Sequence, residues 1–403
     1  MLRRSILAIL VATVLHSAAF AQMSHKHGAD TACDDVALRC ASKVTPAFAP
    51  DGTLVLTWMA GGHILVASST DLGRTLSDPV RVTRDTMHLD WGPDARPKIA
   101  ITKTGVVALA FSTFRDKAFN GQVFTTTSRD GGRSFADIKP ITSNTESQRF
   151  EAIGFDADGT LFAAWLDKRG RVPAQQRGET YEGAGLFFAS SKDGGETYRE
   201  ATLATDNTCE CCRLGLAFAG PGQPAIVFRN IFEGGVRDHA VITFDTPSTP
   251  GRLRRVSTDD WKIAACPHHG PSLAISPAGT YHVTWYTAGK ARKGLFYARS
   301  QDQGETFSDP VAIGQPGRNP ARAYVLASAE TTMIVWKEFD GERTSVSRMM
   351  SHDDGKTWSP PAVIATTTDT SDHPLLVADS KRIFLSWMTK ANGYIFQPIE
   401  GGS

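Results

Sequence analysis

A short pattern occurs five times in the chain: Ser-x-Asp-x-Gly-x-Thr/Ser, followed by an aromatic residue or Leu. Its copies begin at Ser69, Ser128, Ser191, Ser300 and Ser351. The Asp carboxylate can accept backbone N–H bonds within a turn, and the Gly supplies a positive φ. A β-rich run precedes the copies and a short strand-like run follows them, which predicts a hairpin turn between the third and fourth strands of a repeated sheet. The pattern is therefore structural rather than catalytic.

This repeat resembles the Asp box, or bacterial neuraminidase repeat, of the sialidase-like β-propellers. The resemblance implies an all-β propeller of four-stranded blades. The interval between the third and fourth copies is about twice the others, so we expect residues 214–256 to form a blade without a box. After the last copy only three strands are evident, and residues 36–40 could supply a fourth. We therefore predict seven blades, with six as the alternative, in a ring closed by an N-terminal strand.

The N-terminus has the layout of a cleavable signal peptide. Two arginines precede an apolar run at residues 6–15, and small residues follow it. The run is shorter than the roughly 20 residues that cross a bilayer. We expect residues 1–21 to be removed, residues 22–32 to form a flexible segment containing histidine, and residues 33–403 to form a single propeller domain. The predicted location is the periplasm or the exterior, without a membrane span.

The charge balance limits the classes of partner. The chain has 43 Lys and Arg residues against 42 Asp and Glu residues. Without a net field there is nothing to favour nucleic acid or an anionic membrane. The expected partner is therefore a small ligand or a metal ion, and the sequence does not indicate which proteins it meets.

In propellers the innermost strand of each blade lines a central channel. The loop that leads into this strand, here called the lead-in loop, opens on the face where ligands usually bind. Titratable and sulfur-bearing residues concentrate in these loops, which predicts a shared funnel. The predicted ligand-binding residues are His88, Asp90, Arg96, Arg213, Arg318 and His373.

The resemblance also implies a possible activity. Sialidases grip the substrate carboxylate with three arginines, use a Tyr activated by Glu as nucleophile, and use an Asp as acid/base. Here the resemblance assigns these roles to Arg96, Arg213 and Arg322, to Tyr324 with Glu151, and to Asp94. The family's Arg-Ile-Pro is replaced by Arg96-Pro97, and sialidases have six blades. An exo-acting glycoside hydrolase for an acidic sugar is therefore an alternative function.

Cysteine and histidine residues suggest a metal function. The sequence Cys-x-Cys-Cys-Arg leads into the fourth predicted blade, and Cys-Pro-His-His leads into the fifth. Thiolates with imidazoles suit Cu(I), Cu(II) or Zn(II). The predicted metal ligands are Cys209, Cys211, Cys212, Cys266, His268 and His269, and a flexible pair, His25 and His27, lies near the N-terminus. Our leading prediction is periplasmic copper binding or handling, with zinc as the other candidate metal.

Disulfide bonds are the alternative use of the cysteines. In an oxidising compartment, Cys33 could pair with Cys40, and Cys266 could pair with one of the three neighbouring cysteines of the fourth blade. The protein would then be a disulfide-stapled propeller with a structural or partner-binding role. A redox or nucleophilic thiol is the remaining interpretation of the cluster.

Overall fold

Seven small antiparallel sheets make up the part of the chain that the computed structural model describes, residues 35–399. Each sheet is a blade, and the innermost strand of each blade contacts that of the next blade around the ring. The prediction of an all-β propeller with seven blades is confirmed, and six is wrong. The predicted signal peptide, His25 and His27 lie outside the described residues.

The first four blades have four strands each, joined in chain order. Their strands are β1 (Lys43–Phe48), β2 (Leu54–Ala60), β3 (His63–Ser69) and β4 (Val80–Arg81); β5 (Lys98–Ile101), β6 (Val107–Phe114), β7 (Gly121–Ser128) and β8 (Lys139–Pro140); β9 (Gln148–Phe155), β10 (Leu161–Asp167), β11 (Ala184–Ser191) and β12 (Thr202–Thr208); and β13 (Gly215–Gly220), β14 (Gln223–Arg229), β15 (His239–Thr246) and β16 (Thr249–Arg255).

The last three blades complete the ring, because β25 contacts β1. Their strands are β17 (Ser272–Ile275), β18 (Tyr281–Ala288), β19 (Lys293–Ser300) and β20 (Val311–Ile313); β21 (Ala321–Ala327), β22 (Thr332–Phe339), β23 (Thr344–Ser351) and β24 (Ala362–Thr367); and β25 (Leu375–Ala378), β26 (Ile383–Thr389) and β27 (Gly393–Ile399). Within the described residues, one helix, α1 (Arg171–Gln176), and 3-10 turns at Glu233–Gly235 and Pro316–Arg318 lie between strands, and a 3-10 turn at Leu38–Cys40 precedes β1. Within residues 35–399, no helix is long and apolar enough to cross a membrane.

The core lies between the blades. Strands such as β2 and β10 are buried along their whole length, because neighbouring blades cover both faces of each sheet. Such strands are continuously apolar rather than alternating. The fifth residue of the second strand is a buried Trp in five blades: Trp58, Trp165, Trp285, Trp336 and Trp387. These large rings supply much of the apolar surface that holds adjacent blades together.

The five repeats form the predicted hairpin turns. In the first, Ser69 Oγ donates to Asp71 Oδ1 over 2.8 Å, and Asp71 accepts hydrogen bonds from the N–H and hydroxyl of Thr75 at 2.8 and 2.7 Å. Gly73 has a φ of +82° and donates its N–H to Ser69 Oγ. The Ser, Asp and glycine contacts recur in the other four copies. The turns are therefore closed by their own side chains.

The two blades without a repeat differ from the others. In the fourth blade, Thr246 pairs with Thr249, so a tight hairpin replaces the longer turn between β15 and β16. In the seventh blade the described residues supply three strands. Residues 36–40 pack beside β27 but do not form the predicted outer strand. Leu38–Cys40 form a 3-10 turn closed by backbone bonds, and the Asp35 carboxylate accepts the N–H of Ala37 just before it, which favours a turn over an extended strand.

The glycine of the last repeat gives a test of this turn. A Cβ at Gly355 would overlap the Tyr297 hydroxyl, which is hydrogen-bonded to His282. Gly279 has nearly the same φ, +83°, but open space around it. We expect Gly279→Ala to lower the free energy of unfolding by about 1–2 kcal/mol through backbone strain, and Gly355→Ala to cost about 1–3 kcal/mol more through overpacking. Denaturant unfolding measures both, and equal losses would contradict this packing.

Candidate ligand-binding channel and thiol cluster

A buried carboxylate, Asp94, joins the lead-in segments of five blades. The guanidinium groups of Arg213 and Arg322 donate to Asp94 Oδ1 over 2.9 and 3.0 Å. The backbone N–H groups of Arg213 and Gly270 donate to Oδ2 over 3.3 and 2.8 Å. His373 Nδ1 lies 3.9 Å from Oδ1. The structure therefore brings together four of the residues that the sequence assigned to the channel.

The same contacts determine the protonation of Asp94. Burial alone would raise the pKa of this carboxyl group. The charges of Arg213 and Arg322 and the N–H of Gly270 outweigh that effect and hold the pKa of Asp94 below its usual range. Asp94 is therefore ionised at neutral pH. This weighs against the predicted acid/base role, because a general acid must hold a proton before it reacts.

A second carboxylate, Asp372, holds the third predicted arginine. Arg96 Nη2 donates to Asp372 Oδ1 over 2.9 Å, and Lys43 Nζ donates to the same oxygen over 3.1 Å. Lys337 Nζ donates to the Asp372 carbonyl oxygen over 3.2 Å, and burial lowers the pKa of Lys337 to about 8. The three arginines thus form two groups, each with its own buried counter-ion.

A third group joins the second and third blades, with Asp90 in a lead-in loop and its other members on strands. Arg149 Nε donates to Asp90 Oδ2 over 2.7 Å. The Ser112 hydroxyl donates to the buried carboxyl of Glu151, whose pKa is raised by burial. Burial also lowers the pKa of Lys98 to about 8, and the charge of Glu151 opposes that shift. The charge of Asp90 acts on Glu151, and the charge of Asp94 acts on Lys98, so this group is electrostatically coupled to the Asp94 group.

Basic groups outnumber acidic groups in this channel. We define the channel cluster as seven basic and four acidic residues: Lys43, Arg96, Lys98, Arg149, Arg213, Arg322 and Lys337, with Asp90, Asp94, Glu151 and Asp372. Four of the basic side chains, at positions 43, 149, 213 and 322, keep 13–20% of their surface exposed. The channel cluster thus holds more basic than acidic groups, and four of the basic side chains reach solvent.

Tyr324, the predicted nucleophile, lies on β21 near Arg96 and Arg213. Burial raises its pKa, and the two arginine charges oppose that effect. No carboxylate within residues 35–399 hydrogen-bonds to Tyr324, so the predicted pairing with Glu151 is absent from the described contacts. Regular alternation of side chains along β21 would place Arg322 and Tyr324 on the same face of the sheet. A register shift between Ala321 and Tyr324, with a φ of +61° at Arg322, interrupts it.

The remaining predicted ligand residues have different surroundings. Arg318 lies in a 3-10 turn and forms an ion pair with Asp340 at 2.9 Å, rather than with a carboxylate of the channel cluster. His88 is exposed, and its ring packs on Phe114 at 5.4 Å. His373 is buried, and burial with the charges of Arg322 and Arg213 keeps its pKa well below the usual value. His373 is therefore a neutral imidazole within the channel.

Three of the predicted metal ligands form a compact thiol cluster. The sulfurs of Cys209, Cys211 and Cys212 lie within 4.8 Å of one another, and their residues are only 1–2% exposed. Cys211 Sγ is 3.4 Å from Cys209 Sγ and 4.0 Å from Cys212 Sγ. Cys266 is exposed, and its side chain interacts with that of Cys211. All four cysteines are free, so the alternative bond from Cys266 is not formed.

The other predicted pairing involves Cys33, which lies outside the described residues. The two predicted histidine ligands belong to the same loop as Cys266. Nδ1 of each, His268 and His269, has no hydrogen-bond partner. His269 stacks on Tyr286 with ring centroids 4.1 Å apart, and burial with the charge of Arg322 lowers its pKa to about 3. Both imidazoles have lowered pKa values and are therefore largely neutral at pH 7. The compact group of potential metal ligands, however, consists of the three sulfurs.

Two arginines that the sequence did not suggest accompany the sulfurs. Arg237 Nη1 donates to Cys209 Sγ over 3.4 Å. Arg229 is 1% exposed, and its Nε and Nη1 have no hydrogen-bond partner. Its positive charge acts on Cys209 and Cys212. A buried guanidinium with two unpaired N–H groups calls for nearby negative charge.

The sequence also did not predict several residues of the channel. Lys43 and Lys98 are the first residues of β1 and β5, so the rule that located the lead-in loops could have found them. Asp372 directly precedes a predicted residue. Lys337 lies in the middle of β22, a second strand, and no local pattern marks it as a channel residue.

Comparisons with solved structures show the same architecture. The chain is similar to an ulvan lyase of polysaccharide lyase family PL25, bound to -[GlcA(1-4)Rha3S]-, with 10% identity, a TM-score of 0.56, and coverage of 89% of this chain and 93% of that one. It is similar to a Hadza microbial sialidase, with 14% identity, a TM-score of 0.51, and coverage of 86% of this chain and 76% of that one. It is also similar to a leech intramolecular trans-sialidase, with 9% identity, a TM-score of 0.50, and coverage of 86% of this chain and 83% of that one. At these identities the likeness establishes the fold. No family model and no curated protein matches the chain.

Removing the charge of Asp94 tests its role as the central counter-ion. We expect Asp94→Asn to lower the free energy of unfolding by about 3–5 kcal/mol at pH 7, because two buried guanidinium groups lose their partner. The folded-state pKa of Asp94 is below the usual 3.8, so this stabilisation is complete above about pH 4 and is lost as pH falls below it. The difference between wild type and variant should therefore shrink in acid.

Asp340→Asn is the matched control for this experiment. It removes the partner of Arg318 from a pair in which both side chains are about one third exposed. Such pairs contribute roughly 0–1 kcal/mol. Denaturant unfolding between pH 3 and pH 7 measures both variants, and equal effects at pH 7 would refute the central role of Asp94.

Proposed function

We propose that the central channel binds an acidic saccharide. The observation that carries this proposal is the excess of basic over acidic side chains in the channel cluster, with four of the basic groups partly exposed. Planar guanidinium groups suit carboxylate and sulfate because they donate two parallel hydrogen bonds. The structural neighbours named above include sialidases and a lyase bound to a uronate-containing saccharide, which supports a sugar as the carrier of that charge.

Arg322 is the best placed of the arginines to receive the anion. Its hydrogen bonds within residues 35–399 use Nη1, which donates to Asp94 and to the carbonyl oxygen of His268. Nε and Nη2 have no such bond among these residues. Arg213 lies beside it and uses Nη2 for the carbonyl oxygen of Ala323. One guanidinium thus keeps two donors for a ligand while Asp94 fixes its orientation.

We also propose that the protein cleaves the bound sugar. The sialidase mechanism requires a tyrosine next to a carboxylate, and Tyr324 has the two arginines as its nearest charges. His373 is instead a neutral imidazole beside arginines, and an anionic ligand would raise its low pKa and so allow it to remove a proton next to a neutralised carboxylate. Release of a fluorophore from a sialoside would indicate hydrolysis, whereas formation of an unsaturated uronate would indicate elimination.

Ligand binding is measured most directly by calorimetry with an oligoglucuronate and a neutral glucan oligosaccharide of equal length. We expect only the acidic ligand to bind, with affinity that falls as salt is added. Arg322→Gln should weaken binding about 10–100-fold, because a charged hydrogen bond contributes about 1.5–3 kcal/mol. The control Arg129→Gln changes an exposed arginine that pairs with Glu196 among the repeat turns, and it should bind normally. Equal binding of both sugars would contradict the proposal.

We also propose a second function, binding of a soft metal ion by the thiol cluster, with Cu(I) as the leading candidate and Zn(II) as the other. Three buried sulfurs within 4.8 Å of one another fit a single thiolate-bound ion. A cuprous ion with three thiolates carries two negative charges, and the two guanidinium groups of Arg229 and Arg237 carry two positive charges. The metal-bound cluster would therefore give Arg229 the negative charge that its unpaired N–H groups require. Copper handling in the periplasm stays a proposal, as does export itself.

Elemental analysis with thiol titration tests the metal proposal. We expect stripped protein to take up one Cu(I) per chain and the bound ion to protect three thiols from alkylation. Cys211→Ser should lose this ion, because its sulfur lies between the other two. The double variant His25→Ala, His27→Ala should keep it. Uptake that survives Cys211→Ser but not the histidine changes would place the metal elsewhere.

A further inference from the structure

The four free thiols near the lead-in loops of the fourth and fifth blades differ sharply in access to solvent. Cys209, Cys211 and Cys212 are 1–2% exposed. Cys266 is exposed, and it interacts with Cys211, the sulfur at the centre of the buried three. Thiol exchange requires physical access to the attacking sulfur. A metal complex in solution can therefore reach Cys266, whereas the buried sulfurs are shielded from it.

We propose that Cys266 is the transfer thiol through which Cu(I) enters and leaves the buried site. The inference deepens the proposed metal binding and depends on it. Cys266 takes the ion from a donor complex and passes it to Cys211, and Cys209 and Cys212 complete the coordination. The final site contains three buried sulfurs, and Cys266 returns to its free form.

The transfer proceeds by ligand exchange without a change in oxidation state. A Cu–S bond to Cys266 forms as a bond between copper and the donor's ligand breaks. Cys211 then bonds to copper, followed by Cys209 and Cys212, whose sulfurs are 3.4 and 4.0 Å from that of Cys211. The bond to Cys266 breaks last. Each thiol gives its proton to water as it binds the ion, and Cys266 recovers a proton on release.

The loop of Cys266 is held in place at its other end. The N–H of Gly270 donates to Asp94 over 2.8 Å, and Arg322 donates to the carbonyl oxygen of His268. Cys266 is thus positioned beside Cys211 while its own surface stays open. Cys266 itself is exposed, so a donor complex can approach it from solvent.

Stopped-flow transfer from the Cu(I)–bicinchoninate complex, under ascorbate, tests the inference on the full-length protein. We expect Cys266→Ser to bind one Cu(I) with an affinity within about threefold of wild type but to load at least tenfold more slowly. Cys211→Ser should lose affinity. Ala265→Ser changes the exposed neighbour of Cys266 and should load at the wild-type rate. Brief alkylation of wild type, confined to Cys266 by its exposure, should reproduce the slow loading.

The outcomes separate the inference from the metal proposal. Loading of Cys266→Ser at the wild-type rate would overturn the transfer role while leaving the metal site intact. Complete loss of Cu(I) from Cys266→Ser would also overturn it, because Cys266 would then be a permanent ligand. Absence of Cu(I) binding by wild type would refute the metal proposal and the inference together.

Discussion

The ion pairs of Asp94 are the interaction on which the centre of this propeller depends. A buried carboxylate is costly to desolvate, and only opposite charges and hydrogen bonds offset that cost. Here the partners come from loops 119 and 228 residues away along the chain, in the guanidinium groups of Arg213 and Arg322. Because these segments converge on the Asp94 carboxylate, the positions of the channel arginines depend on closure of the ring and not on any single blade.

The same convergence positions the thiol cluster. Arg213 directly follows Cys212, and Gly270 lies four residues after Cys266, so both cysteine loops end at Asp94. A Cβ at Gly270 would overlap Arg213, which shows how closely the two loops pack. The two sites nevertheless differ in the charge of the partner that each would suit. The channel, with its excess of basic groups, favours anions and repels metal cations, whereas the buried sulfurs favour a soft cation.

The sequence predicted the propeller because its signals are local. Each turn is closed by residues such as Ser69, Asp71 and Thr75, which lie close together in the chain, and the doubled interval revealed the fourth blade. Residues 36–40 were predicted as a strand because the pattern of apolar residues does not show how the Asp35 carboxylate turns the chain. The comparisons with solved structures support this architecture at identities too low to transfer an activity.

The site was predictable only in part. Lead-in residues such as Arg96 and Arg322 follow from the geometry of any propeller. Their partners do not, because Arg96 leads into the second blade and its partner Asp372 leads into the seventh, so the pairing depends on closure of the ring. Arg237 lies on the connection between β14 and β15, where the sequence carries no periodic signal for the direction of a side chain. The bulge at Arg322 likewise depends on tertiary packing.

A crystal structure of the protein with a glucuronate oligosaccharide would show whether the channel arginines bind a sugar carboxylate. We expect a sugar carboxylate in the channel, within hydrogen-bond distance of Arg322 and close to Arg213, while both arginines keep their ion pairs with Asp94. A saccharide bound outside the lead-in loops, or one that contacts the channel through its neutral hydroxyl groups with the carboxylate turned to solvent, would contradict this expectation.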